Sequence, residues 1–244
     1  MSAGRGPRGS TALLLAGAGC VLVGLIAAAI AVTGTFAPRP AATAASSGPS
    51  AAGGATGPPS AAPLEFQPVS LDGTGDRRAA FDIPEGAAAI AHLAHPGAGA
   101  FRVQSLGAGD ARGEVLVDET GAYSGTVLFD ALLGQHSIAF DVRSAGPWSV
   151  RIVPVGLATP WSGDLPLAGA GDDVVLLDAP ADGTTVLHIE HPGSGRIRVL
   201  AYTDTGELDQ LVDTSGALDE THEVPPGTVC LEVRAVGGWT LSPG

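Results

Sequence analysis

The chain has 244 residues, with 25 acidic side chains against 12 arginines, a net charge of −13, and no lysine or asparagine. So negative a surface repels nucleic acid and anionic lipid headgroups, and the missing residue types exclude a Schiff-base lysine, a phosphate-loop lysine and an N-glycosylation sequon. The two cysteines, Cys20 and Cys230, fall in segments of opposite character, so no disulfide framework is expected.

Residues 1–10, MSAGRGPRGS, carry Arg5 and Arg8 and no acid; they are expected to be cytoplasmic. The uncharged stretch 11–36 is long enough, as a helix, to cross a hydrocarbon core of roughly 30 Å. It is read as a transmembrane helix and signal anchor, because its apolar run exceeds the usual length of a cleaved h-region. The rival readings are a signal peptide cut after Ala42-Thr43-Ala44 and a lipid anchor on Cys20. Residues 37–63, rich in Pro, Ala, Ser and Gly, have almost no large apolar side chain with which to offset the entropy of ordering, and read as a disordered linker.

Beyond the linker the sequence repeats itself. LDGTGD (71–76) pairs with LAGAGD (167–172), HLAHPGAG (92–99) with HIEHPGSG (188–195), and VDETGAY (117–123) with VDTSGAL (212–218). SIAFDVRSAGPW (137–148) pairs in the same way with TVCLEVRAVGGW (228–239). Two units of domain size follow, 64–154 and 155–244. In the first, strands are predicted at 65–70, 78–83, 88–95, 100–106, 114–117, 122–129, 137–143 and 148–153. The alternation of Ile138, Phe140 and Val142 with Ala139, Asp141 and Arg143 marks one buried and one wet face. The fold class expected is all-β, two tandem antiparallel β-sandwich (jelly-roll-like) domains set end to end behind the N-terminal helix.

The Gly-x-Gly-Asp, His-x-Gly, Val-Asp or Val-Asn with Gly-x-Tyr, and Gly-x-Trp pattern resembles repeats of uncharacterised actinobacterial proteins that are membrane-anchored or secreted. More distantly it is similar to the pre-peptidase C-terminal-like modules of secreted proteases. The resemblance covers nearly all of residues 64–244 and implies a fold and a location, with no activity to carry over. Where those repeats place Asn before an aromatic, this chain has Ala100-Phe101 and Arg196-Ile197.

Candidate chemistry is sparse. The pairs His92/His95 and His188/His191 are candidate metal ligands, with Glu190 or Asp178 as a third. Residues i and i+3 of a strand face opposite ways, so each pair needs its His-Pro-Gly turn to swing one ring round; otherwise His95 and His191 cap that turn and His92 and His188 pack on a sheet face. Asp172 and Asp173, like Asp72 and Asp76, are candidate calcium ligands, the alternative being solvated turns. Asp204-Thr205-Gly206 matches an aspartic protease loop but lacks a second copy. Trp148 and Trp239 read as core plugs, Cys230 as a buried small side chain, and Trp161, which has no counterpart in the first repeat, as an exposed binding contact.

The reading is a single-pass cell-membrane protein whose C-terminal domains are extracellular. It is expected to act as a non-enzymatic binding or structural module of the envelope. Its partners are the membrane, through the helix, and an envelope protein or glycan, and not nucleic acid. No cofactor beyond calcium is expected. The alternative is a metal-dependent hydrolase or its accessory domain.

Overall fold

The computed structural model describes residues 64–244, which belong to one compact unit. The expected helix at 11–36, the linker at 37–63 and Cys20 lie outside the described residues. Among the described residues no helix is long and apolar enough to cross a membrane.

The described residues are all-β. The first repeat forms β1 (Val69–Thr74), β2 (Arg77–Ala80), β3 (Ala89–His95), β4 (Ala100–Leu106), β5 (Arg112–Thr120), β6 (Tyr123–Phe129), β7 (Ala139–Ser144) and β8 (Pro147–Pro154). They make two antiparallel sheets, ordered β1-β8-β3-β6 and β2-β7-β4-β5. The second repeat begins with an added strand, β9 (Thr159–Trp161). It continues with β10 (Leu167–Ala170), β11 (Asp173–Leu177), β12 (Val186–His191), β13 (Arg196–Thr203), β14 (Leu208–Ser215), β15 (Leu218–Glu223), β16 (Thr228–Ala235) and β17 (Gly238–Pro243). Its sheets are β10-β17-β12-β15 and β14-β13-β16-β11-β9, antiparallel except where β9 runs parallel to β11. Each repeat closes on its own core. Phe101, Phe140 and Ile152 centre the first, and Ile189, Ile197 and Leu231 the second.

The repeated motifs have local causes. Gly73 lies extended beneath the indole of Trp148, where a methyl group would come within 2.6 Å of the ring. Gly75 turns the chain at φ 72°, and Asp76 accepts the Ser144 amide at 3.0 Å. Gly169, Gly171 and Asp172 repeat these roles beneath Trp239, with the Ala235 amide as the donor. The first strand therefore runs through LDGT as Val69–Thr74 rather than 65–70, because only Gly75 of that motif is a turn residue. Trp148 and Trp239 are buried, their Nε1 groups donating to Gly75 O and Gly171 O.

The repeats are not set end to end. A third core joins them, in which Ile90, Leu128 and Val153 from the outer face of the β1-β8-β3-β6 sheet meet Val174, Leu200, Tyr202 and Cys230 from the second repeat. The contact is heterologous: the sheet used by the second repeat is the counterpart of β2-β7-β4-β5, not of β1-β8-β3-β6. The edge of β6 also engages the second repeat directly, the Thr126 amide donating to Asp172 O at 2.9 Å.

Candidate functional site: the cleft between the repeats

Beside the third core a charged cluster crosses the junction. Glu232, on β16, is fully buried and accepts the Leu128 amide of the first repeat at 3.0 Å and the Tyr202 hydroxyl at 3.1 Å. Arg234, two residues on and therefore on the same face, bonds Glu232 at 2.9 Å, lies 3.7 Å from Asp172 and donates to Leu116 O of the first repeat. Asp172 also accepts the Tyr123 hydroxyl at 2.7 Å. Burial, with the Asp172 charge, pushes the Tyr123 phenol far above its ordinary range, and burial with Glu232 does the same for Tyr202. Both remain donors at any physiological pH.

Next to this cluster opens a cleft of about 460 Å3, between β5 on one side and β13 and β16 on the other, within the size range of ligand sites at domain junctions. Glu114 enters it from β5, and burial, followed by the Glu232 carboxylate, pushes its carboxyl up to about 7 against the pull of Arg234 and Arg198.

The two repeats differ here in their ion pairing. In the first, Arg102 of β4 pairs with Asp118 of β5. The counterparts in the second are Arg198 and Asp213, opposite one another in register. Arg196 stands where the first repeat has Ala100, and it takes both Asp213 oxygens at 2.9 and 2.7 Å, holding that carboxyl below its usual range. Arg198 is left in the cleft with no salt bridge among the described residues, and its buried Nε has no partner. The signal was present in the sequence, in the mismatch of Ala100 with Arg196.

The residues singled out from sequence fare differently. His95 and His191 are fully buried inside the cores, their Nδ1–H groups donating to Pro147 O and Gly238 O at 2.9 Å. Their Nε2 atoms have no partner and pack against Gly97 and Gly193, so the rings cap the His-Pro-Gly turns from within and are closed to an ion. His92 faces the other way, toward Thr126 at 3.0 Å; burial, then Arg151, lowers its pKa against the pull of Asp173. Neither i, i+3 histidine pair is therefore brought together. Asp172 is spent on the junction, and Asp173 accepts the Thr159 hydroxyl at 3.1 Å and the Val174 amide at 2.8 Å, so the two do not converge as a calcium site.

Trp161 is not an exposed contact. It is buried at 9% exposure because β9 adds to the edge of β11, and its indole N–H donates to Leu165 O at 2.7 Å. Cys230 lies buried in the third core, where burial raises its thiol pKa. Asp204-Thr205-Gly206 is the hairpin turn between β13 and β14, with Gly206 at φ 77°. One grouping not anticipated as such is His188, Glu190 and Asp219, whose ligand atoms lie within 4.8 Å of one another on the outer face of β12 and β15. They are half-buried or exposed, and His188 and Asp219 bond each other at 2.7 Å.

No protein-family model and no curated protein matches the sequence. Among solved structures, the chain is similar to the regulatory subunit of a cAMP-independent protein kinase A from Trypanosoma cruzi bound to guanosine. That match has 9% identity, 71% of each chain covered and a TM-score of 0.20. A second is cAMP-bound PfPKA-R (141–441), with 5% identity, 72% of this chain and 70% of that chain covered, and a TM-score of 0.20. Superposition at that level carries nothing over to this chain.

Proposed function

We propose that this is a single-pass envelope protein that displays its two repeats outside the membrane as a non-enzymatic binding module, with the inter-repeat cleft as its binding site. The apolar segment 11–36 and the linker 37–63 support the anchoring. The strand orders β1-β8-β3-β6 and β2-β7-β4-β5 support a jelly-roll description of the repeats. The observation that carries the binding reading is the cleft itself, an open groove of mixed charged and apolar lining whose two walls are held in register by the Glu232, Arg234 and Asp172 network.

The test is site-specific photo-crosslinking in intact cells, with the probe at Val236 on the cleft rim or at Leu165, which is 72% exposed and outside the cleft. A discrete envelope adduct at 236 and none at 165 is expected. Equal labelling at both positions, or none at 236, contradicts the reading.

The grouping of His188, Glu190 and Asp219 favours a second reading, a metal-dependent hydrolase or its accessory domain. Zinc-dependent turnover lost in His188→Ala is what it requires.

A further inference from the structure

We infer that the inter-repeat cleft binds an extended peptide segment through a carboxylate held by Arg198. The inference rests on the cleft being the binding site and adds the class of ligand. Its first support is the contrast between the repeats. At the same place in the fold, Arg102 is neutralised by Asp118, whereas Arg198 is released because Arg196 occupies both oxygens of Asp213. The Arg198 side chain lines the cleft without a salt bridge among the described residues, and its Nε donor is short of an acceptor. The planar fork of arginine suits a carboxylate.

The surroundings narrow the charge. Asp118 is paired with Arg102, and Asp172 and Glu232 with Arg234, leaving Glu114 and Glu119 as the acids on the cleft wall without such a partner among the described residues. The one free guanidinium can pair with a single negative charge, and the acids around it repel a dianion such as phosphate. Glu114 and Glu119 in turn accept from amide groups of the incoming ligand.

The shape narrows the scaffold. β5 is the outer strand of its sheet and lines the cleft over Glu114–Thr120, a length of about 23 Å at roughly 3.3 Å per residue. A sheet edge along a groove receives an extended backbone by strand addition, with side chains read from the facing wall. Arg234 already occupies Leu116 O, so the pairing runs along the remainder of the edge.

The experiment is selection of a random hexapeptide display library on the full chain, in parallel with Arg198→Gln and Arg196→Ala. The wild-type chain is expected to enrich peptides with Asp or Glu at one fixed position, and a selected peptide to lose at least tenfold in affinity when that residue becomes Asn or Gln. Arg198→Gln loses the enrichment. Arg196→Ala loses it too, although Arg196 is not assigned to the ligand, because Asp213 is then free to neutralise Arg198 as Asp118 does Arg102.

Inorganic phosphate and glucuronate are titrated against a selected peptide to separate anion sources. Displacement by either at concentrations below those of a monocarboxylate peptide overturns the assignment. So does a library with no acidic enrichment, or one equally enriched on Arg198→Gln. Circular dichroism of each variant separates a lost site from a lost fold. A rim adduct at Val236 together with a failed selection would leave the cleft reading standing and remove only the ligand class.

Discussion

Tyr123 and Asp172 join the two repeats by a 2.7 Å hydrogen bond, although Asp172 repeats a role that its counterpart Asp76 performs wholly within its own repeat. The position equivalent to Tyr123 in the second repeat is Leu218, so the phenol is an addition made where a neighbour exists to receive it. Tyr123→Phe keeps the ring and removes the donor. It is expected to cost about 1.5–3 kcal/mol in urea unfolding, the range for a hydrogen bond to a charged group.

Glu232 and Arg234 form the inner part of the same junction. Glu232→Leu leaves the Leu128 amide, the Tyr202 hydroxyl and Arg234 short of their acceptor, and is expected to cost about 3–5 kcal/mol. Adding Arg234→Met removes the stranded charge, so the double variant should be more stable than Glu232→Leu alone. Chemical denaturation of the set checks the sign of the coupling.

Glu114 makes stability depend on pH. Its carboxyl ionises near 4.5 in the unfolded chain and near 7 in the folded one. The fold favours the protonated form, so this contribution is complete below the unfolded value and is lost as the pH rises through 7. Glu114→Gln keeps the uncharged form. The variant should match the parent at about pH 4 and exceed it at about pH 8 by on the order of 2–3 kcal/mol, measured as the difference between the two unfolding free energies across pH.

Gly73 and Gly169 answer to the tryptophan plugs. Gly73→Ala places a methyl group 2.6 Å from the Trp148 ring, and Gly169→Ala brings one closer still to Trp239. Each is expected to cost about 1–3 kcal/mol by overpacking, with Gly169→Ala the worse. Thermal unfolding with tryptophan fluorescence reads both.

Much of the fold was legible from period and repetition. Alternation in Ile138–Arg143 and the paired motifs gave the strands and their duplication, and the capping of the His-Pro-Gly turns by His95 and His191 was readable from that spacing, whereas their full burial was not. The third core was not legible. Ile90, Leu128 and Val153 lie on the face that alternation assigns to water, and only the run Ala87–Leu93, apolar but for His92, hints that β3 is covered on both sides. Trp161 misled because β9 has no counterpart in the first repeat's sheet, so nothing in the repeat showed that the indole would be enclosed. The release of Arg198 depends on which of two arginines reaches Asp213, and that choice is made by side-chain geometry at a mismatch between the copies.

The two repeats form one body across a charged and apolar junction. Differential scanning calorimetry of the full chain tests it most directly, by comparing the calorimetric enthalpy of the β-unit transition with its van't Hoff enthalpy. A single transition with the two enthalpies equal is the predicted result. Two transitions, or one whose van't Hoff enthalpy is near half the calorimetric value, would mean that the repeats melt independently and would contradict the account.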